Sequence, residues 1–414
     1  MNVARPRDNS PNSVQSLSID PRTDSFVQNP YAIYDSLHSK GPAFFWREYR
    51  HVCFASHADV SALLRDRRFG RQLDERERRT TLKCFDRVEQ HSLLELEPPE
   101  HTRLRRLVNR AFVSRRIEAL APLIERRAHE LIDSMEQHDA PCNLLEAYAT
   151  PLPVEMIATL LGVPLERTSD LLAWSHKMVA MYQFDRTAEK EAAADQAAAE
   201  FSDMLRGVIA ERRRIATDDL LSAMVQAADE SDLSDDEIVS TAILLLNAGH
   251  EATVHQVGNA VKAFLYDTSG PFDAWYWTGD AERLERAVEE AMRFDAPLHM
   301  FTRYVLEDVL WTASDGSQVP LSRGDTIGLM LGAANRDPKH FDQPNVFDPT
   351  RERIDHVAFG GGIHFCLGAP LARLEMRIAL RVLFERLPQL RIVEMPRYAD
   401  AYHFHGLERL MVEW

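Results

Sequence analysis

The stretch that decides the fold is Phe359-Gly360-Gly361-Gly362-Ile363-His364-Phe365-Cys366-Leu367-Gly368, followed at once by APLARLEMRIALRVLFERL. Three consecutive glycines permit a backbone that side chains would forbid, and Gly368, two past the cysteine, permits a second close approach. The run after it has the composition of a helix. A cysteine just before a helix N-terminus sits in a field of free amides that favours thiolate. Such a sulfur suits a nucleophile, a redox sensor or a metal ligand; a buried structural cysteine is the plain alternative. A glycine-rich phosphate cradle is the rival, but the lysine of a P-loop is missing.

Around this loop lies a chain of 414 residues, 45% hydrophobic and 27% charged, with a formal net charge of −16. That balance excludes a disordered, collagen-like or coiled-coil chain, and the acidic total argues against a general nucleic-acid binder. Cys53, Cys84, Cys142 and Cys366 are far apart, with no Cys-x-x-Cys pair, which is neither a disulfide framework nor a zinc-finger spacing. They fit a reducing cytoplasm. No stretch reaches the roughly 18 uncharged apolar residues of a membrane span, and the N-terminus has no apolar signal core. Residues 1–25 read as a loosely ordered lead-in and 26–414 as a single domain.

The pattern along that domain is mainly α with a minor β region. Ala43–Trp46 and His51–Ala55 flank a charged turn and suggest a hairpin; hairpin-like segments recur around Val305–Trp311 and Leu407–Glu413. Pro98 and Pro99 open a basic helix, HTRLRRLVNRAFV, and Gly162 and Pro164 end a helix that follows Pro151. Thr187–Arg214, rich in Ala, Glu and Arg, predicts a long surface helix. Ser234 and Glu237 form a capping-box signature before about 30 proline-free residues, roughly 45 Å of helix. Ile243–Leu246 are apolar on every face, so this helix is central and buried.

Midway, Asn247-Ala248-Gly249-His250-Glu251-Ala252-Thr253 interrupts the apolar run. Glycine within a helix costs about 1 kcal/mol, so something approaches the backbone closely there: a neighbouring helix, or a flat cofactor with Glu251 as a buried acid beside it. Further on, ERAVEEAMRFDAP places Glu290 and Arg293 at i, i+3 on one helix face.

Taken together, these strings carry a resemblance. FGGGIHFCLG resembles the haem-binding signature F-x-x-G-x-[HR]-x-C-x-G of the cytochrome P450 superfamily at every fixed position. AGHE is similar to the oxygen-binding part of that family's central helix, EEAMR to its Glu-x-x-Arg helix, and EPPEHTRLRRLV to its His-x-x-x-Arg segment; ANRDP and FDPTRERIDH precede the cysteine in the family's order. The match runs from about Asn29 to the C-terminus and resembles soluble bacterial members. It implies the cytochrome P450 fold, with the long central helix over a buried haem b, and Cys366 as the axial metal ligand, a thiolate that favours O–O cleavage. It further implies that Phe359, Gly360 and Gly368 shape the cysteine loop, that His101, Arg105, Arg303 and His364 hold the propionates, and that Glu290 and Arg293 form a buried structural pair. Arg105 is chosen over Arg106 because it lies four residues after His101, on the same face.

One departure stands out. The family's acid is followed directly by threonine, an acid–alcohol pair that passes protons toward oxygen; here Glu251 is followed by Ala252, and the threonine is Thr253. One residue turns a side chain by about 100°, so Thr253 does not replace the hydroxyl without a bulge. Ala248, Gly249, Glu251, Ala252 and Thr253 are therefore the catalytic stretch. A substrate hydroxyl or ordered water completes the relay, peroxide bypasses it, or the reaction needs less proton delivery; the first is preferred.

Arg103, Arg105, Arg106, Arg110, Arg115 and Arg116 crowd one segment of an acidic protein. A local basic patch steers partners, and the resemblance puts a ferredoxin or flavodoxin there, passing electrons from NAD(P)H; the plain alternative is a solvated helix face. The pocket is expected to be lined by Met181, Phe184, Leu245, Leu298, Met300, Phe301 and Phe404, with His250, His299, His403 and His405 near its border. The leading expectation is an O2-dependent, cytoplasmic monooxygenase that hydroxylates or epoxidises a small, largely apolar substrate. A peroxide-dependent or rearranging haem-thiolate enzyme and a non-catalytic haem sensor are the alternatives.

Overall fold

In the computed structural model, which describes residues 14–73, 82–112, 114–138, 140–183, 186–231, 233–267, 273–402 and 404–414, the central helix starts at its capping box. Glu237 N donates to Ser234 Oγ at 3.3 Å, and Ser234 N donates back to Glu237 Oε2 at 2.9 Å. Helix Asp235–Leu265 then runs unbroken for 31 residues. Against it pack helix Pro151–Leu161, the Glu-x-x-Arg helix Ala281–Phe294 and the helix after the cysteine, Ala369–Arg386. Gly162 closes the first of these with φ +81°, a left-handed C-cap that favours glycine.

The expected surface helix runs Ala188–Arg214, with Thr187 Oγ1 taking Lys190 N as its cap. It buries Ala194, Ala197, Phe201, Leu205 and Ile209 along one stripe, which packs on Thr168–Val179. Among the described residues no helix is long and apolar enough to cross a membrane.

A six-stranded sheet forms the minor layer, in the order Gln15–Leu17, Ala43–Trp46, His51–Phe54, Thr326–Leu329, Phe301–Val305, Phe69–Gly70. The hairpin expected near residue 50 is present, with Phe45 facing Val52 in antiparallel register. The expected hairpin over Val305–Trp311 is not. Phe301–Val305 pairs with Thr326–Leu329, and Val309–Thr312 pairs with Gln318–Leu321 instead, because the turn residues Asp315-Gly316 lie after the second strand. At the other end, Met411–Glu413 joins Arg391–Ile392 and Cys142–Asn143 rather than folding on Leu407. Part of the lead-in expected over 1–25 is regular: Gln15–Leu17 lies parallel to Phe44–Trp46.

A buried polar cluster ties distant parts of the chain together. Asp295 accepts Tyr31 Oη at 2.6 Å on one oxygen and the Tyr398 hydroxyl on the other. Tyr34 Oη meets His299 Nδ1 at 2.8 Å, and the His405 ring stacks on Tyr398 at 3.9 Å. Asn259 Nδ2 holds the carbonyls of Asp295 and His405 at 3.2 and 2.9 Å. Burial drives both histidines well below their ordinary pKa, so they stay neutral. His299 and His405 thus belong to a structural network, whereas at the sequence level they bordered the pocket; His403 lies outside the described residues.

Candidate haem-thiolate site

The cysteine loop is held by its own backbone. Cys366 N donates to the Phe359 carbonyl at 3.0 Å, Gly360 N to Val357 O at 2.8 Å and Phe365 N to Gly362 O at 3.2 Å. Gly360 and Gly362 have φ of +69° and +67°, and a Cβ on Gly362 would run into the Leu64 carbonyl; these two glycines are conformationally required. Gly368 is different: its φ is −79°, and a Cβ there would meet Cys366 Sγ at 3.9 Å. That is an ordinary contact, so neither crowding nor backbone strain demands glycine at this position. Phe359 lies under the Arg373 guanidinium, 4.5 Å from Cζ to the ring centre.

The thiol itself departs from the helix-terminus expectation. Burial pushes the Cys366 thiol up, and this outweighs the amides of Gly368 and Ala369 and the charges of Arg105 and Arg373, which act the other way. The helix terminus alone does not ionise the sulfur; a cation at it would.

Next to the loop, cations gather without enough anions. Arg303 is 4% exposed, and its burial, with Arg71 nearby, lowers its pKa to about 9. His101 is 2% exposed, and neither ring nitrogen has a hydrogen-bond partner. Burial, then His364 and Arg105, lower its pKa to about 4. The rings of His101 and His364 are 4.5 Å apart. Arg105 Nη2 donates to Phe365 O at 2.7 Å, joining the basic helix Glu100–Ala111 to the cysteine loop. Glu97 and Glu95 counter this charge in part: Glu97 Oε1 meets His364 Nε2 at 3.4 Å, and Glu95 pairs with Arg71. Arg71, which also donates to Thr302 O at 3.1 Å, is a member of this cluster that sequence reasoning missed. Arg71 is one of many arginines in the stretch Arg65–Arg79, and nothing in the sequence singles it out.

Glu290 and Arg293 are 0% and 1% exposed. The guanidinium is bidentate on the carboxylate, Nε–Oε2 and Nη2–Oε1 both at 2.7 Å. Arg293 also donates to the carbonyls of Asn335 and Pro344 at 2.9 Å and Val346 at 3.1 Å. Glu290 in turn receives Asp348 N at 2.8 Å and Arg351 Nε at 3.0 Å. Every arm of the pair is satisfied, as a buried charge requires.

On the central helix, Leu244, Ala248 and Ala252 share a stripe at i, i+4, i+8 that is not fully buried, with Ala248 exposed and Asn247, Gly249 and His255 half-buried beside it. An exposed alanine halfway along a buried helix marks an internal space. Gly249 points elsewhere: a Cβ there would lie 3.1 Å from Ile157 Cγ1, so helix packing, not a cofactor face, demands this glycine. Thr253 Oγ1 donates to Gly249 O at 3.1 Å in an unbulged helix and faces that packed side. Glu251 is 9% exposed and lies among three imidazoles. His176 Nε2 and His250 Nε2 are 3.3 and 3.6 Å from its Oε1, and His255 Nε2 is 3.7 Å from Oε2. Burial pushes its carboxyl up, but these histidines outweigh it and hold it below the ordinary range.

Of the expected pocket residues, Leu298, Phe301 and Phe404 are half-buried, with Leu298 bridged to Phe404. Phe301 packs on the cysteine loop, where a Cβ on Gly360 would come within 3.0 Å of its ring. Met181, Leu245 and Met300 are 3%, 8% and 2% exposed and sit in the hydrophobic core instead. Leu244, one residue earlier than Leu245, takes the open stripe; an all-round apolar run conceals that phase. Phe184 lies outside the described residues.

The basic patch is smaller than its sequence suggests. Arg103 is paired with Glu237, Arg105 turns into the cysteine loop, and Arg116 meets Asp218 at 3.2 Å. Arg106 and Arg115 are exposed; the Arg110 side chain lies outside what is described.

The haem implied by the motifs fits these residues. A dicarboxylate would satisfy the unpartnered ring of His101 and the surplus charge of Arg71, Arg105 and Arg303. Cys366 would hold the haem iron, and the Leu244, Ala248 and Ala252 side chains offer an apolar surface suited to its flat body. Comparison with known proteins agrees. The family model described as Cytochrome P450 matches residues 24–266 and 281–389. Cytochrome P450 monooxygenase PikC of Streptomyces venezuelae is 38% identical over 399 residues, 94% of this chain and 92% of that protein. Mycinamicin IV hydroxylase/epoxidase of Micromonospora griseorubida is 38% identical over 368 residues, 86% of this chain and 88% of that protein. The solved structure of P450BioI in complex with hexadec-9Z-enoic acid ligated acyl carrier protein superposes with a TM-score of 0.88 at 31% identity, covering 95% of this chain and 100% of that one.

Proposed function

This chain belongs to the cytochrome P450 family and is a haem-thiolate monooxygenase, and from that premise we propose that it hydroxylates or epoxidises a largely apolar organic molecule with electrons from a ferredoxin-type partner. The observation that carries the reading is the cation cluster at the cysteine loop, with His101 buried and unpartnered.

In this reading Cys366 would hold the iron, and His101, Arg105, Arg303 and His364, with Arg71, would hold the two propionates. Bound haem supplies the activation of O2, one atom going into a C–H or C=C bond and the other to water. The residues around it do the rest. Gly360 and Gly362 fix the loop so that the sulfur is presented at one angle. The apolar stripe Leu244, Ala248, Ala252, with Leu298, Phe301 and Phe404, excludes water and sets an apolar preference. Glu251 exchanges protons, and His176, whose side chain is 61% exposed, connects it to solvent. Because Thr253 gives its hydroxyl to Gly249 O and Ala252 has none, a hydroxyl of the substrate or an ordered water completes the path. The named relatives include a mycinamicin IV hydroxylase/epoxidase and a vitamin D(3) 25-hydroxylase, which supports hydroxylation or epoxidation as the reaction.

Ala252 also favours a second reading, turnover with peroxide in place of O2 and reductant. A screen of compounds for a low-to-high-spin shift, followed by turnover with reductase and ferredoxin or with peroxide, separates the two. Reductant-dependent product is expected; peroxide-only product selects the second. A reduced carbon monoxide spectrum without thiolate character, or Cys366→Ser keeping the parent's spectrum, overturns both. Arg106→Glu with Arg115→Glu should slow reduction by ferredoxin and flatten its salt dependence; unchanged kinetics would remove the steering role.

A further inference from the structure

His176 from helix Thr168–Val179 and His250 and Glu251 from the central helix bring one ligand atom each within 4.8 Å of one another. His250 is 3% exposed, and its Nδ1 lies 2.8 Å from the Leu246 carbonyl. A carbonyl only accepts, so Nδ1 carries a proton, which leaves Nε2 as the nitrogen that can take a ligand. That Nε2 has no hydrogen-bond partner, yet it faces Glu251 Oε1 at 3.6 Å. A buried, unpartnered ring nitrogen is thus turned toward a carboxylate oxygen, an arrangement that a cation between them completes.

The dimensions suit a particular cation. Two ligands at the zinc distances of about 2.0–2.1 Å and the tetrahedral angle are about 3.3–3.4 Å apart. The observed separations from Glu251 Oε1 are 3.3 Å to His176 Nε2 and 3.6 Å to His250 Nε2. The Nδ1–H donated to a backbone carbonyl is also the support that metal-ligating histidines use. We propose that His176, His250 and Glu251 form a site for a zinc-type divalent cation, with the fourth position open to water on the exposed His176 side.

The other buried histidine–carboxylate group, Asp295, His299 and His405, also brings its ligand atoms within 4.8 Å. Both oxygens of Asp295 are already taken by tyrosine hydroxyls, and Arg336 and Lys262 act on its histidines. Those positive charges repel a metal ion. Around Glu251 the leading partners are imidazoles.

A cation at this site links two helices and occupies the proton-exchanging carboxylate, so it would act as a brake on turnover. That consequence rests on the proposed role of Glu251; the site itself does not. The test is calorimetric titration of the chelator-stripped holoenzyme with zinc chloride. One zinc per chain is expected, with affinity at least tenfold weaker in His176→Ala and in Glu251→Gln and unchanged in His138→Ala, an exposed histidine elsewhere. No saturable binding to the parent, or equal binding by parent and His176→Ala, overturns the proposal. The haem spectrum recorded on the same samples is the separate check on the haem-thiolate reading.

Discussion

Replacing Glu290 with glutamine keeps the side chain's shape and removes its charge. In the parent, this carboxylate faces two guanidinium groups, Arg293 at 2.7 Å and Arg351 at 3.0 Å, and is 0% exposed. The variant leaves both cations in a dry interior without an anion. Breaking a buried pair in this way costs about 3–5 kcal/mol. Unfolding entropy near the melting temperature is about 2.1 cal/mol/K per residue, or about 0.9 kcal/mol/K for 414 residues. The expected fall in Tm is therefore about 3–6 °C. Scanning calorimetry at pH 7 measures it, and the haem-to-protein ratio after purification should fall with it. The pair is shielded from water, so the fall should persist in concentrated salt, where a surface pair's contribution would fade. A variant whose Tm stays within about 1 °C of the parent's, fully loaded with haem, would refute the reasoning.

Three further perturbations follow from the same geometry. Ala252→Thr should change the coupling of reductant to product at least twofold with the true substrate, whereas Thr253→Val, which loses only a bond to Gly249 O, should stay within twofold; the reverse order would place the relay on Thr253. Gly249→Ala gains about 1 kcal/mol of helix propensity but crowds Ile157 at 3.1 Å, costing about 1–3 kcal/mol; urea unfolding should show a net loss that vanishes in an Ile157→Ala background. Burial pushes the Glu289 carboxyl up, yet Arg373 at 2.6 Å and His356 hold its pKa at about 2, below its ordinary 4.5. Its stabilisation is whole above pH 4.5 and is lost as pH falls through 2, about 3 kcal/mol in all; Glu289→Gln should flatten that acid limb of the stability curve.

The sequence disclosed the parts of this molecule whose signals are local. Ser234 and Glu237 announce a helix start because both halves of the cap lie within one turn, and the Cys366 loop is recognisable because glycine, histidine and cysteine occur at fixed steps. Strand partners are another matter. Phe301–Val305 pairs with Thr326–Leu329 across a small hairpin of other strands, and no spacing rule foretells that choice. Helix phase was also hidden: in Leu244-Leu245-Leu246 every residue is apolar, so only the structure shows that Leu244 opens on the internal space and Leu245 does not. The histidines were the least legible. His250 and His299 look alike in sequence, but one supports a carboxylate beside the pocket and the other is locked between tyrosines. Arg71 joined the cation cluster because of a register with Thr302 that links positions 231 residues apart.

The cluster around Asp295 has a bearing on how the protein is made. Its hydroxyl donors are Tyr31, near the start of the chain, and Tyr398, near the end, and Asn259 ties His405 into the same knot. A ribosome releases Tyr31 first and the others hundreds of residues later, while domains fold in the order they emerge. The carboxylate must therefore wait in a half-finished interior until Tyr398 has emerged. Nascent chains stalled before residue 398 has emerged should remain protease-sensitive.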